Sequence, residues 1–522
     1  MKTSQPMAKT QNAWLTGAML FLLSLGIHAG SLIGSGYDGL YGQDPYAYYG
    51  YAVGPLRTAL LHLQLAPPFF WPPGYPLLIT LASLLVAATP LLGQWIGLLA
   101  GSLVTVLTYT LAREVCLLLA EPPDAARSAA PAGSVAWRWV PLIAGLVTVL
   151  HPQLWQSSIV VMSDTVALAA GTLGAWALAR YARLDRPRWL ALSAAALAYA
   201  IATRWAYALE AIPCALYGVY LLVSRTRGRW AALARDAAGA AVAGGAVLGL
   251  LIGPGLLPQA APAALTLTGD LEVYSWSPLN FFHRQFITVD GLLSYRLPNG
   301  LYYALSPGHP DYFTPLLALL LAPGLWLLLR RRQTLALVVL LAWPVLILGF
   351  HAGAPWQNFR FTLAALPPLA VLVALGAAQA ALWLGERWAG LVGLLVAAGL
   401  AWQALAGAAL VRQFINSKRS DLAVVSAVDG EAPPGAQLLT FSITGTFKYY
   451  SLLPTYELWG LNSSQVSNLV ADGRPTLVLL DVTNVEAQWQ GRAPSNNYHW
   501  LRDGPGLAKL GQYQGYTLFQ VR

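Results

Sequence analysis

Charge is scarce in this sequence. Of its 522 residues only 10% are Asp, Glu, Lys or Arg, against about 25% in ordinary soluble domains. That shortage excludes a solvated, charged surface over most of the chain. Cysteine is scarcer still. Cys116 and Cys214 fall in separate apolar runs, so neither implies a disulfide or a metal site. Acids are also few, 22 against 31 basic residues, for a formal net charge of +9. A basic excess can mark nucleic-acid binding. Here most arginines sit in short clusters between apolar runs, the pattern of cytoplasmic loops, so no nucleic-acid partner is expected. Heptads and short-period repeats are missing, which excludes a coiled coil or a solenoid.

What is abundant is apolar sequence, 57% of all residues. Much of it lies in runs of about 20 residues, the length that crosses a hydrocarbon core. The expected fold is a polytopic α-helical membrane protein, with backbone polar groups satisfied inside helices. Spans are expected near 13–33, 95–118, 139–158, 165–182, 189–203, 206–223, 232–256, 314–329, 334–350, 361–383 and 388–410. The first run, Trp14 to Ile33, reads as a retained anchor.

Orientation follows from arginine. With Lys2 and Lys9 inside, alternate loops hold Arg113, Arg127 and Arg138; Arg180, Arg183, Arg186 and Arg188; Arg225, Arg227, Arg229 and Arg235; Arg330, Arg331 and Arg332; and Arg387. The opposite loops, before residue 411, hold only Arg57, Arg204, Arg284, Arg296 and Arg360. Basic residues favour the cytoplasmic side. Residues 1–12 are therefore expected in the cytoplasm of a multi-pass plasma-membrane protein, with external loops at 34–94 and 257–313. The apolar run 74–92 breaks this parity if it crosses, so it is expected to be a re-entrant or interfacial helix of the outer side. From about Val411 the pattern changes period. Short strands at Gln437–Phe441, Thr455–Trp459, Thr476–Asp481 and Tyr516–Val521 alternate with helical pieces at Ser463–Ala471 and Val485–Gln490. That predicts a small extracytoplasmic α/β domain over 411–522, after a membrane domain over 13–410.

The residues that can carry chemistry each have two readings. Asp44 lies among Tyr46, Tyr48, Tyr49 and Tyr51. It can be a general base or, with Pro45 following, the start of a helix. Asp164 can orient an acceptor, supply an oxygen to a divalent cation or cap a helix. Arg204 and Arg360 lie at outer membrane boundaries. Each can grip a phosphate with two parallel hydrogen bonds or snorkel to lipid headgroups. His309, near Asp311, can touch substrate or order a turn; one His and one Asp are no metal signature. Tyr48 and Tyr49, with Phe69, Phe70 and Trp71, can stack on a sugar or anchor an interfacial helix.

Several motifs occur in a telling order. Gln43-Asp44-Pro45-Tyr46-Ala47-Tyr48-Tyr49 follows the first span, and Trp71-Pro72-Pro73-Gly74-Tyr75-Pro76 comes next. Then come His151-Pro152, Val161-Met162-Ser163-Asp164, Thr203-Arg204, and Asn358-Phe359-Arg360-Phe361 before Leu366-Pro367-Pro368. This order resembles the GT-C membrane glycosyltransferases, in the branch of protein O-mannosyltransferases and lipid A aminoarabinose transferases. The resemblance covers about residues 13–400. It implies transfer of a sugar from a polyprenyl-phosphate-linked donor to a glycan, lipid or protein acceptor on the outer face. It implies Asp44 and Asp164 as catalytic carboxylates, Arg360 and Arg204 at the donor phosphate, and Tyr48, Tyr49 and His309 as substrate contacts. It names no certain cofactor and leaves a divalent metal open. One departure stands out: relatives often carry a second acid beside the loop carboxylate, where this chain has Pro45. Two other functions stay open. A transporter or flippase of lipid-linked glycans tends to show paired halves and midplane charges; this sequence has no paired halves and few intramembrane charges. A non-catalytic membrane subunit would act through its C-terminal domain.

Overall fold

The computed structural model describes residues 11–67, 69–120, 135–225, 230–256 and 275–522. Lys2, Lys9, Arg127, Arg227, Arg229 and the 257–274 part of the long loop lie outside the described residues. Helices occupy every position where a span was expected. They begin with α1 (Gln11–Gly30), followed by α2 (Asp44–Tyr51) and α3 (Gly74–Ser83). The membrane bundle continues with α4 (Pro90–Ala120), α5 (Val135–Val149), α6 (Asp164–Leu184), α7 (Pro187–Ile201), α8 (Ala208–Arg225) and α9 (Trp230–Leu251). It closes with α10 (Leu321–Arg331), α11 (Trp343–Gly353), α12 (Leu366–Leu384) and α13 (Glu386–Glu431). Among the described residues, eight helices are long and apolar enough to cross a membrane. α5, α6 and α7 fall outside that group; α5 and α7 are short at 15 residues each. The chain is thus a polytopic helical membrane protein.

The run 74–92 does not form one helix. α3 covers its first ten residues and ends at Ser83; α4 begins at Pro90. Ten residues of helix reach about 15 Å, half the hydrocarbon thickness of about 30 Å. α3 is therefore too short to cross.

α13 behaves differently from the sequence pattern. It runs unbroken for 46 residues, through Val411. Its length of about 70 Å exceeds the hydrocarbon core more than twofold. The half up to about residue 410 is apolar, while the remainder carries Arg412, Lys418, Arg419, Asp421 and Asp429. Its last turns form one wall of the C-terminal domain: Val424, Val425 and Val428 pack on Leu438, Leu477, Leu479 and Phe447.

That domain is a five-stranded mixed sheet. Its strands are β3 (Gln437–Thr440), β4 (Thr455–Glu457), β5 (Thr476–Leu480), β6 (Leu507–Tyr513) and β7 (Tyr516–Val521), after a separate hairpin of β1 (Gln285–Thr288) and β2 (Gly291–Ser294). The spatial order is β4-β3-β5-β7-β6. β3 pairs in parallel with β4 and β5, with Leu438 opposite Leu477; β7 pairs antiparallel with β5 and β6. β3 and β5 are buried along their whole length, as expected for strands covered on both faces. Helices α14 (Thr444–Tyr450), α15 (Ser463–Ala471), α16 (Val482–Gln488) and α17 (Ala493–Asp503) complete the domain. Val466, Val485 and Leu501 cover the face opposite α13. β6, α14 and α17 were not expected from sequence. The signal for β6 was Gln514-Gly515, a two-residue turn with both φ positive.

The long loop docks on this domain. Gln488 donates to the Asp290 carbonyl at 2.7 Å, and Arg492 donates to the Thr288 carbonyl at 2.9 Å.

Candidate active site

Four residues far apart in sequence meet at one end of the bundle. An Arg360 Nη lies 3.2 Å from an Asp44 carboxylate oxygen. Arg204 Nη1 lies 2.6 Å from Asp164 Oδ1. Arg360 Nε stands 4.0 Å from that same Asp164 oxygen and joins the two pairs. The result is a chain, Asp44–Arg360–Asp164–Arg204, with no net formal charge. Its two ends differ in access. The Asp44 side chain is 31% exposed, whereas Asp164 is 4% exposed.

Local structure explains each placement. Asp44 opens α2, and Pro45 takes an early helical position where its missing N–H costs nothing. Asp164 opens α6 after the turn that follows the short helix Pro152–Ser158. The loop before α2 is bonded to that turn: the Val161 amide donates to the Gly39 carbonyl at 3.0 Å. Gly39 has φ of +91°, and a Cβ there would meet Val161 Cγ2 at 2.7 Å. Arg204 sits in an extended break after α7, with φ of −156°. Gly74 opens α3 against that break: its amide donates to the Ala202 carbonyl at 2.8 Å. A Cβ at Gly74 would lie 2.7 Å from that carbonyl. Arg360 follows a helix cap, because Asn358 Oδ1 accepts from the Arg360 amide at 2.9 Å.

Phe361 backs the cations. The Arg360 and Arg204 guanidinium carbons lie 5.6 and 6.0 Å from its ring centroid, within the range of cation–π attraction. His351 stacks on the same ring at 5.0 Å. Met162 Sδ accepts from Arg360 at 3.3 Å. From sequence, Met162 and Phe361 stand only as motif neighbours of Asp164 and Arg360, and none of the three is given a role.

The aromatic candidates divide. The Tyr48 hydroxyl lies 3.0 Å from Ser163 Oγ, beside Asp164. Burial pushes its phenol well above the ordinary value, so it stays protonated. Its ring stacks on Trp71 at 4.8 Å. Tyr49 instead donates to the Ala88 carbonyl at 2.8 Å and so ties α2 to the segment between α3 and α4. His309 is half-exposed, stacks on Phe359 at 4.4 Å and pairs with Asp311 at 3.6 Å. It stands next to Arg360 in space through Phe359, without joining the ion chain.

No group of three His, Cys, Asp or Glu residues that could hold a metal occurs among the described residues. Each carboxylate of the chain already faces a guanidinium.

Solved structures share this architecture across nearly the whole chain. ArnT from Cupriavidus metallidurans in the apo state matches with a TM-score of 0.60 at 12% identity, over 98% of this chain and 99% of that one. The same protein bound to undecaprenyl phosphate matches with a TM-score of 0.58 at 14% identity, over 98% and 99%. The Archaeoglobus fulgidus oligosaccharyltransferase in complex with zinc and sulfate matches at 0.52 and 12% identity, over 90% and 68%. No family model and no curated protein sequence matches the chain. The chain has a GT-C-type fold.

Proposed function

We propose that this GT-C-type membrane protein is an inverting glycosyltransferase that uses a polyprenyl-phosphate-linked sugar on the outer face of the plasma membrane. One observation carries the reading: the partly exposed acid Asp44 stands 3.2 Å from the guanidinium of Arg360, at the open end of the ion chain. A base and a phosphate-binding cation side by side are what this transfer needs. Further support comes from the ArnT match, whose crystal structure holds undecaprenyl phosphate.

In this reading the acceptor hydroxyl gives its proton to Asp44. Its oxygen attacks the anomeric carbon as the bond from that carbon to the phosphate oxygen breaks. The polyprenyl phosphate leaves with the electron pair, opposite the attacking oxygen, so the anomeric configuration inverts. Arg360 and Arg204 stabilise the charge that develops on the departing phosphate. Arg204 spends one Nη on Asp164, and the fork retains other N–H donors for phosphate oxygens. Asp164 is nearly closed off from solvent. Its role is to hold both guanidiniums in place rather than to take the proton. Of the substrate contacts the resemblance implies, Tyr48 and His309 lie beside the ion chain, whereas Tyr49 turns to the Ala88 carbonyl. The acceptor itself, whether glycan, lipid or protein, is left to experiment.

The outer-face placement rests on charge. The ion chain lies at the start of α6, and the arginine-rich ends at Arg180, Arg183 and Arg225 lie at the other side of the bundle. The test is transfer by the purified chain in nanodiscs, supplied with undecaprenyl-phosphate-linked mannose or aminoarabinose and scored by released undecaprenyl phosphate. Release that depends on Asp44 supports the reading. Wild-type release by Asp44→Asn would remove Asp44 as the base.

A further inference from the structure

The C-terminal domain and the far half of α13 grip the helix that carries Asp44. The start of α2 is not fixed by its own cap, because Gln43 makes no side-chain capping bond. Pro45 sets the local φ but contributes no N–H. The place of Asp44 is therefore set by what holds the next residues of α2. Tyr48 and Tyr49 are held from the membrane side, as described above. Tyr46 is held from the other side, by groups more than 370 positions away.

Its hydroxyl is a junction. Lys418 Nζ, on α13, donates to it at 2.6 Å. Thr446 Oγ1, on α14, stands 3.2 Å away, and the Leu40 carbonyl 3.4 Å away. A phenol donates one hydrogen bond and accepts others, so these three partners use its full capacity. Burial raises the Tyr46 pKa well above its ordinary value, which keeps that donor in place. Lys418 is 3% exposed. A buried ammonium is costly unless paired; the Tyr450 ring lies 3.9 Å and the Tyr46 ring 5.1 Å away, and the Asp38 and Asp421 carboxylates offset part of its desolvation. Tyr450 in turn donates to Asp38, whose other oxygen accepts from the Leu40 amide at 3.2 Å. Gly445 lies against the Tyr46 ring so closely that a Cβ would meet Cδ2 at 2.7 Å. Farther down α13, Arg419 donates to the Ser35 carbonyl at 3.0 Å and Phe414 meets Tyr41 edge-on at 4.6 Å.

We propose that Lys418, acting through Tyr46, is a positioning residue for Asp44, and that the C-terminal domain completes the active site by clamping α2. The proposal rests on the reading of Asp44 as the base. A merely structural joint would hold the domain to the bundle and change stability alone. A positioning joint changes turnover while donor affinity stays.

The experiment compares the full chain in nanodiscs with Lys418→Met, Lys418→Arg and Gly445→Ala. Gly445 is helical with negative φ, so alanine suits its backbone and its methyl pushes only on Tyr46. The expected result is a kcat lower by about tenfold to a hundredfold in Lys418→Met and Gly445→Ala, since small misplacements of a reacting group cost that much. KM for the undecaprenyl-phosphate sugar stays within about twofold, and Lys418→Arg recovers part of the loss. Amide hydrogen exchange over residues 38–51 rises in the same two variants. Wild-type kcat and wild-type exchange in both overturn the clamp, as does a loss that falls on KM alone. If the wild-type chain releases no undecaprenyl phosphate from either sugar donor, the enzymatic reading fails. Exchange over 38–51 then still decides whether Lys418 holds α2.

Discussion

Two ion clusters, each built on a buried acid, lie at opposite ends of α6, and they use the same residue types for different ends. At the arginine-rich end, Glu114 of α4 receives Arg183 at 2.7 Å and Arg180 at 3.1 Å. Both Glu114 oxygens are bonded. Arg180 is further held between Trp176 and Trp189, at 5.3 and 4.8 Å from their rings. At the other end, Asp164 receives Arg204, but its Oδ2 is buried without a hydrogen-bond partner, and so is Arg360 Nε. The second cluster reaches solvent through an acid, Asp44, at 31% exposed, while the first keeps its acid closed, Glu114 at 6%. The two are separated by α6, 21 residues or about 30 Å. At the arginine-rich end Arg180 Nε also lacks a partner, but Glu114 itself is saturated, and a saturated acid stabilises one arrangement. A cluster with spare donors, an unbonded acceptor and one accessible acid can exchange partners with a substrate. Burial and pairing do not tell the two apart; what the buried acid has left to bond does.

Four substitutions break or sharpen this contrast. The largest effect is expected from Asp44→Asn. Loss of a general base costs about a hundredfold to ten-thousandfold in rate, read as released undecaprenyl phosphate, with the melting temperature near wild type. Next is Arg360→Lys. A point charge replaces a fork, so kcat should fall about tenfold to a hundredfold, and binding of undecaprenyl phosphate should weaken in a direct titration. Glu114→Gln should do the reverse. The variant leaves two arginines without a carboxylate, and a loss of about 1–3 kcal/mol is expected for a buried charged hydrogen bond. The low end applies, because both arginines keep about a quarter of their side chains exposed. Thermal unfolding in detergent measures it, and transfer per folded molecule should stay at wild-type level. A Glu114→Gln protein that melts normally but transfers poorly would dissolve the contrast.

The smallest effect concerns an acid without any arginine. Glu457 lies on β4 in the sheet domain. Burial raises its pKa above the ordinary carboxylate value, partly offset by Thr444 and Lys448. The folded state therefore binds a proton that the unfolded chain has already released. Its contribution is full below the unfolded pKa and lost as pH rises through the folded one. Stability of the domain should fall slightly with rising pH in that window. Glu457→Gln should flatten the slope, seen in melting curves recorded from acid to neutral pH.

Much of this was legible in the chain. The spans were readable because twenty apolar residues have one stable form in lipid. β3 and β5 were readable because buried parallel strands are short continuous apolar runs. α15 matched its sequence signal, with Asn462 and Gln465 forming a reciprocal cap. Asp44, Asp164, Arg204 and Arg360 were each visible as a charge at a membrane boundary, where a charge is costly enough to call for a reason. Other features were not readable. The continuation of α13 past Val411 has no local mark, because its second half is polar and its reason for staying helical is the sheet face it covers. Lys418 reads as an ordinary solvated lysine until Tyr46 and Tyr450 are placed around it.

The sequence alone determined that the chain is a helical membrane protein with a small sheet domain, and which polar residues stand at the membrane boundary. It did so because hydrophobic length, strand periodicity and capping are local properties of consecutive residues. Only the tertiary structure decided which of those boundary residues share a site, which acid stays open and which is closed in, and that Lys418 reaches the helix of Asp44. Those are contacts across 316 positions between Asp44 and Arg360 and 372 between Tyr46 and Lys418. They depend on how α2, α6, α13 and the break after α7 pack, and no short stretch of sequence encodes that.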